Sequence, residues 1–223
     1  MGRLYLSHHL PGYAAIFIWK ILEATGGDNR LVYFDLNDFD EAVLKIWADT
    51  LQIDWPSNVV TWQWPGSHKD RRQLFLQIKR DIPNLRALSL RDRDDDADST
   101  THESLSDTSQ KPTNDGFKAL KWRRRHIENY LLVTDAIARA AGVEKEVIEL
   151  FFEGHALVIP PNVQSSDVAI AIRDARGKEL TTGGLSIKFL FGADRYEIAR
   201  KMAPEEIAAD IKMFLKELLT LSL

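Results

Sequence analysis

The chain has 223 residues and no cysteine. Disulfides and thiolate metal sites are therefore excluded, and a reducing cytoplasm fits. It also lacks any apolar run approaching the ~20 residues that span a bilayer. Its start, Met1-Gly2-Arg3-Leu4-Tyr5-Leu6-Ser7-His8-His9, has no signal-peptide core. A cytoplasmic protein without membrane partners is the expectation. Neither charge dominates: 29 Lys and Arg stand against 33 Asp and Glu, a net charge of −4. A nucleic acid would thus have to be met by a local basic patch rather than by the overall field. There is no internal repeat and no G-x-x-x-x-G-K-[ST] phosphate loop, so no ATPase half is present. What is there is the makeup of an ordinary globule, 44% hydrophobic and 28% charged. At this length one domain over residues 1–223 is expected.

The first half alternates between two periods. A helical pattern over 13–24, with Ile16, Ile18, Trp19, Ile21 and Leu22, stops at Gly26-Gly27. Leu31 to Phe34 reads as a buried strand. Asp40 to Leu51 reads as a helix with Val43, Leu44, Trp47 and Leu51 on one face, and Asp40 is able to cap it. Asn58 to Trp64 predicts a second strand and Asp70 to Arg80 a helix with Leu74, Phe75 and Ile78 inward. Leu85 to Leu90 predicts a third strand. Such alternation implies βαβ units and a parallel sheet flanked by helices, an α/β fold. Residues 97–116 are polar with few apolar anchors and are expected to form a flexible loop. Residues 117–223 read as a helix-rich second half of the same domain. One helix runs from Thr134 or Asp135 to Gly142 and another through Val147, Ile148, Leu150 and Phe151. A third spans Ser166 to Arg176, ended by Gly177. The last opens at Pro204-Glu205-Glu206 and buries Ile207, Ile211, Phe214, Leu215 and Leu218.

The chemistry concentrates where the third strand ends, at Leu90-Arg91-Asp92-Arg93-Asp94-Asp95-Asp96. Strand alternation predicts that Asp92 and Asp94 emerge on one side, and ligands of open α/β sheets sit beyond the carboxyl ends of the strands. Two aspartates held there repel unless a divalent cation lies between them, and hard oxygen ligands suit Mg²⁺ or Mn²⁺. An acidic loop after an edge strand is the plainer alternative. The basic run Lys121 to Arg125, with Trp122 inside it, suits backbone phosphates or a solvated face. Trp55, Trp62 and Trp64 belong to a core or an interface, and His8, His9 and His68 receive no role.

Three segments in order carry a resemblance: Asp40-Glu41-Ala42-Val43-Leu44, Leu88-Ser89-Leu90-Arg91-Asp92-Arg93-Asp94-Asp95, and Arg124-Arg125-His126-Ile127-Glu128-Asn129-Tyr130-Leu131. Gly177-Lys178-Glu179-Leu180 follows as a fourth. Over roughly residues 30–220 the chain resembles the Toprim domain of the OLD (overcoming lysogenization defect) family and its ATPase-linked bacterial defence relatives, here as a solitary module. The resemblance implies a Toprim-like parallel sheet and a nuclease acting on DNA or RNA. It implies Mg²⁺ or Mn²⁺ held by Asp40, Asp92, Asp94 and Glu128, and Lys178 and Glu128 as catalytic groups. Nucleic acid, a separately encoded ATPase and a homodimer are the partners it suggests. Two positions depart from the pattern: Leu36 stands where the family's first glutamate falls, with Asn37 at its glycine, and His126 stands at a further glutamate. These departures suit an alternative, a catalytically degenerate module that binds nucleic acid or a partner ATPase. Other readings stay open residue by residue. Asp40 is also a natural N-cap, Glu128 has Arg124 or Arg125 within sequence reach, and Lys178 also reads as an exposed helix-terminal lysine. Asn129 and Tyr130 read as structural.

Overall fold

A short, mostly apolar run such as Leu85–Leu90 is at home where both faces of a strand are covered, and the sheet is built around it. The computed structural model describes residues 30–35, 38–63, 66–80 and 82–222. The expected helix over 13–24, the Leu36-Asn37 turn and Trp64 lie outside these residues. Strands β1 (Arg30–Asp35), β2 (Val59–Gln63), β3 (Leu85–Arg91) and β4 (Phe117–Lys121) run parallel in the order β2-β1-β3-β4. Phe34 lies opposite both Trp62 and Ser89, and Leu90 opposite Leu120. The strand ends at Phe34 and Leu90 are therefore neighbours at the carboxyl end of the two central strands, as the βαβ alternation requires.

The two faces of β3 separate two cores. Leu85 and Ala87 pack with Trp62, Phe75, Ile78, Ile82 and Phe117 under helix α2 (His68–Lys79). Leu88 and Leu90 face the larger core, to which helix α1 (Asp38–Thr50) contributes Val43, Leu44, Trp47 and Ala48, all fully buried. Helix α2 begins two residues before the expected Asp70. Ser67 is the N-cap and Asp70 closes a reciprocal capping box at the third helical position. Its inner face is partly polar: His68 and Arg71 are buried along with Phe75 and Ile78, while Leu74 is only half buried.

Residues 97–116, expected as a flexible loop, are tied along β4. The amide of Asp107 donates to Ala119 O and that of Lys121 to Leu105 O. Antiparallel bridges join Thr101 to Asp107 and Ser106 to Leu120. Leu105 is completely buried at a φ of +64°. The segment is polar, but one apolar anchor and a ladder of backbone bonds hold it.

The second half is helical as expected, with different boundaries. After a 3-10 turn (Ile127–Leu131) come α3 (Thr134–Ala141), α4 (Lys145–Gly154), α5 (Ile170–Arg173) and α6 (Gly177–Thr182). Then follow α7 (Ile187–Phe191), α8 (Arg195–Lys201) and α9 (Ala209–Ser222). Gly142 closes α3 in the left-handed conformation, φ +66°. In α4 the buried residues are Ile148, Phe151 and Phe152, whereas Val147 and Leu150 face out. The expected helix over 166–176 shrinks to the single turn of α5, and Gly177 opens a helix instead of ending one. There the Asn129 side-chain amide donates to the carbonyls of Ile172, Arg173 and Ala175, which turn toward it where a continuous helix would pair them along its own axis. Residues 204–206 form a turn in which the Glu206 carboxylate accepts from the Ala203 amide and from Arg139, and the last helix opens after it. Helix α9 starts at Ala209, yet its expected stripe from Ile207 to Leu218 is buried.

That last helix reaches back across the sheet. Asn58 Nδ2 donates to Ser222 O at 2.6 Å, Arg86 Nη1 to Leu221 O at 3.3 Å, and Lys118 pairs with Glu217 at 2.7 Å. Both halves share the larger core, where Trp47 Nε1 meets Met202 Sδ at 3.2 Å. Among the described residues no helix is long and apolar enough to cross a membrane.

Candidate functional site

Strand β3 ends at Arg91, and the chain turns before alternation can place two aspartates side by side. Asp92 is buried, 4% exposed. Its Oδ1 accepts from the Ile127 amide at 3.1 Å and its Oδ2 from Lys178 Nζ at 3.0 Å. Asp94 adopts a φ of +51° and leaves 65% of its side chain exposed. Its amide is held by Arg125 O at 2.9 Å, and its Oδ1 lies 3.5 Å from His126 Nε2. The expected pair is thus one inward and one outward carboxylate, with His126 between their fields.

Glu128 joins them from the 3-10 turn. It is 1% exposed, and Oε1 accepts from Arg195 Nη1 at 2.6 Å, in place of the Arg124 or Arg125 partners open on sequence. Its Oε2 is buried without a hydrogen-bond partner among the described residues, and so is His126 Nδ1. Arg195 stands at the head of α8, set by a capping box between Asp194 and Glu197, and its guanidinium lies 3.6 Å from the centre of the Phe39 ring. Asp40 follows Phe39 in the first turn of α1 and is buried at 5% exposure. Arg195 was not singled out by the sequence. The D-x-x-E spacing at Asp194–Glu197 marks a helix start there, the one local hint to it.

Lys178 arrives through close packing. A Cβ on Gly177 would stand 2.5 Å from Asn129 Oδ1 and 2.7 Å from its amide nitrogen. Only glycine lets α6 lie against the 3-10 turn, and the next residue then falls beside Asp92. Asn129 is structural as expected. So is Tyr130, whose hydroxyl donates to Asp210 at 2.8 Å while Arg124 covers its ring.

The electrostatics follow from burial. Burial pushes the Asp92 carboxyl above the usual range, with the Lys178 ammonium opposing and Asp94 adding. Burial likewise raises Glu128, and Asp92 raises it further. For Lys178 burial acts downward, but Asp92, then Glu128 and Asp94, outweigh it and the ammonium is held more firmly than usual. His126 is lowered by burial and by Lys178, so its imidazole is neutral near pH 7. Asp92, Asp94, Glu128, Lys178 and His126 thus share one field. Among the described residues no three His, Asp or Glu side chains stand together so as to hold a metal ion as they are.

The basic run at 121–125 turns inward. Lys121 and Arg124 are buried, Arg124 donating to Asn129 O and Val163 O, and Arg125 pairs with Asp95. A phosphate-binding stripe is not what these residues form. Lys121 belongs to a second group of buried charge on the α2 side. Asp107 Oδ1 accepts from Lys121 at 3.0 Å and from the Ser109 amide and hydroxyl, and Oδ2 accepts from Arg91 at 3.2 Å. His68, given no role on sequence, is buried there. Arg71 can only donate, so it uses a lone pair of Ser89 Oγ, whose proton goes to His68 Nδ1 at 2.8 Å. That leaves the imidazole proton on Nε2, 3.4 Å from Asp107 Oδ2. A cavity of 580 Å³ adjoins this group, and none of the residues around it belongs to the Asp92 group.

Comparison of the chain with protein-family models, curated proteins and solved structures yields no match.

Proposed function

We propose that the chain is a Toprim-type, metal-dependent nuclease that hydrolyses phosphodiester bonds of DNA or RNA. The observation that carries this reading is the buried, unpartnered Oε2 of Glu128, in the same field as the Asp92–Lys178 pair. A carboxylate oxygen left without a partner away from water is costly and calls for a reason such as an ion or a catalytic role. Asp92, Asp94 and Glu128, with Asp40, are hard oxygen donors, and the reading requires them to move together around the ion, since among the described residues no three stand so as to hold one. Bound there, Mg²⁺ or Mn²⁺ supplies Lewis-acid polarisation of a phosphate oxygen and an activated water. The chain's own contribution is to fix the charges around the phosphate. Lys178, 3.0 Å from Asp92, carries the positive charge that developing negative charge on a phosphate requires. Arg195 pins Glu128 by one oxygen and leaves the other facing inward. A cytoplasmic setting, a separately encoded ATPase and a homodimer belong to the same proposal.

A second reading has its own observation. Lys178 already neutralises Asp92, and among the described residues no three ligands stand together to hold an ion. A degenerate Toprim module that binds nucleic acid or a partner ATPase suits such a site. A cleavage assay separates the two. With Mg²⁺ or Mn²⁺ the wild type should cleave, Asp92→Ala should lose about 10- to 100-fold or more, and Asp95→Ala should retain activity because its side chain is exposed and paired with Arg125. A wild type without metal-dependent cleavage decides for the binding module.

A further inference from the structure

The cavity beside the Asp107 group takes no part in the chemistry proposed above, and its walls share one character. Its volume of 580 Å³ falls within the roughly 300–1,000 Å³ of small-molecule sites. Phe117 and Ala119 of β4 and Leu221 of α9 give it apolar surface. Three cations, Arg72, Lys111 and Lys118, also line it, and Asp107 is the single carboxylate among the described residues that do. That carboxylate is already neutralised by Lys121 and Arg91. Asp115 pairs with Arg72 and Glu217 with Lys118, but neither acid lines the cavity. Lys111 is exposed and has no ion pair with a described residue. The field that an incoming ligand meets is therefore positive.

A buried group on the same wall lacks a partner. His68 lines the cavity at 3% exposure, and its Nε2 has no hydrogen-bond partner among the described residues. Because Nδ1 accepts from Ser89, the imidazole proton stands on Nε2, and Asp107 Oδ2 at 3.4 Å lies beyond hydrogen-bonding range. A buried N–H left without an acceptor is costly. An acceptor atom brought into the cavity completes it.

We infer that this cavity binds a small organic anion with an apolar, ring-containing body. The body covers Phe117, Ala119 and Leu221, the charge meets Lys111, and an acceptor atom of the ligand takes the His68 N–H. A bare inorganic anion would leave the apolar surface wet, and a neutral ring would forgo the cations. The site lies apart from Asp92, so it stands or falls independently of metal-dependent cleavage.

The probe is 8-anilinonaphthalene-1-sulfonate, which joins an aromatic body to one negative charge and fluoresces when it leaves water. Titrated into the full chain without metal or nucleic acid, it should saturate at one molecule per chain. The neutral N-phenyl-1-naphthylamine has the same rings without the sulfonate and should bind about 2- to 5-fold more weakly. Lys111→Ala should weaken the sulfonate by a similar factor and leave the neutral probe unchanged. Ala119→Trp fills the cavity and should weaken both probes about tenfold or more. The nitrogen resonance of His68 Nε2 should shift as the sulfonate binds, which places the probe against this wall. Circular dichroism checks that each variant is folded; if Ala119→Trp is not, Lys111→Ala and the His68 resonance decide. A sulfonate that binds folded Ala119→Trp as tightly as wild type, or leaves the His68 resonance in place, is bound elsewhere, and the inference is wrong. A neutral probe that binds as tightly as the sulfonate, with Lys111→Ala without effect, also overturns it. So does the absence of saturable binding below millimolar concentration.

Discussion

Two groups of buried charge lie near the ends of β3 and β4, and the protein completes them differently. Around Asp107 each carboxylate oxygen has donors, from Lys121, Ser109 and Arg91, and the loosest contact is the 3.4 Å approach of His68. Lys121 is itself wholly buried and bound also to Asp96. Around Asp92 the sums do not close. Glu128 keeps a bare oxygen, and the cation that answers Asp92 is half in solvent, although each group also holds one histidine nitrogen without a partner among the described residues. A buried network that is nearly satisfied holds structure together, whereas one left open holds a place for something else. Composition does not distinguish them, since both are made of Asp, Lys, Arg and His.

The contrast breaks most easily at the two aspartates. Asp107→Asn takes from the buried Lys121 one of its two carboxylates, leaving Asp96, and should cost about 1–3 kcal/mol in denaturant unfolding. Asp92→Asn should cost at most about 1 kcal/mol, because burial already disfavours its charge and Lys178 can turn to water. Equal losses at the two sites would erase the distinction between a structural and a functional group.

Gly177→Ala comes next. The added methyl must push α6 away from Asn129, at about 1–3 kcal/mol, and Lys178 moves with it. Metal-dependent cleavage should therefore fall along with stability, while an alanine at Gly184, where a Cβ meets nothing within 4 Å, should leave both as they were.

The smallest effect is in acid. Although burial opposes it, the close approach of His68 and hydrogen bonds from Ser109 and Lys121 hold the Asp107 carboxyl far below the usual aspartate range. A lowered folded-state pKa means that the unfolded chain takes up the proton first. The stabilisation is complete above about pH 4 and is lost as pH falls toward the folded value. By pH 3 wild type should have lost at most about 1 kcal/mol from this group, a loss absent from Asp107→Asn. A difference between the two proteins that does not change from pH 6 to pH 3 would deny Asp107 its depressed pKa.

Much of the fold up to Arg91 was legible because its signals are local. Trp47 and Phe75 repeat at helical spacing with their neighbours, and Leu85–Leu90 puts apolar residues on both faces of its strand. Past that point the decisive contacts are distant. Nothing near Asp107 announces Lys121 or His68, and a polar stretch reads as loose whether or not one leucine pins it. The run at 121–125 reads as a basic surface, yet Arg124 turns inward to carbonyls that only the folded chain presents. Gly177 misled for a physical reason: glycine ends helices in the left-handed conformation and also permits close approach, and only the position of Asn129 decides which. At the candidate site, Asp92, Asp94, Glu128 and Lys178 were named from sequence and share one field. Their expected geometry rested on strand alternation, which ends at Arg91, and Arg195 was invisible because it lies 67 residues from Glu128.

The clasp formed by α9 has a consequence in time. Asn58 waits for a carbonyl 164 residues further along, and Arg86 for one 135 residues away. Contacts of such separation close late, since the chain between them must first give up its freedom. During synthesis the strands Val59–Gln63 and Leu85–Arg91 emerge long before their latch. A nascent chain halted before Leu221 should therefore present these strands to chaperones, and only release of the last helical turn lets the sheet fasten.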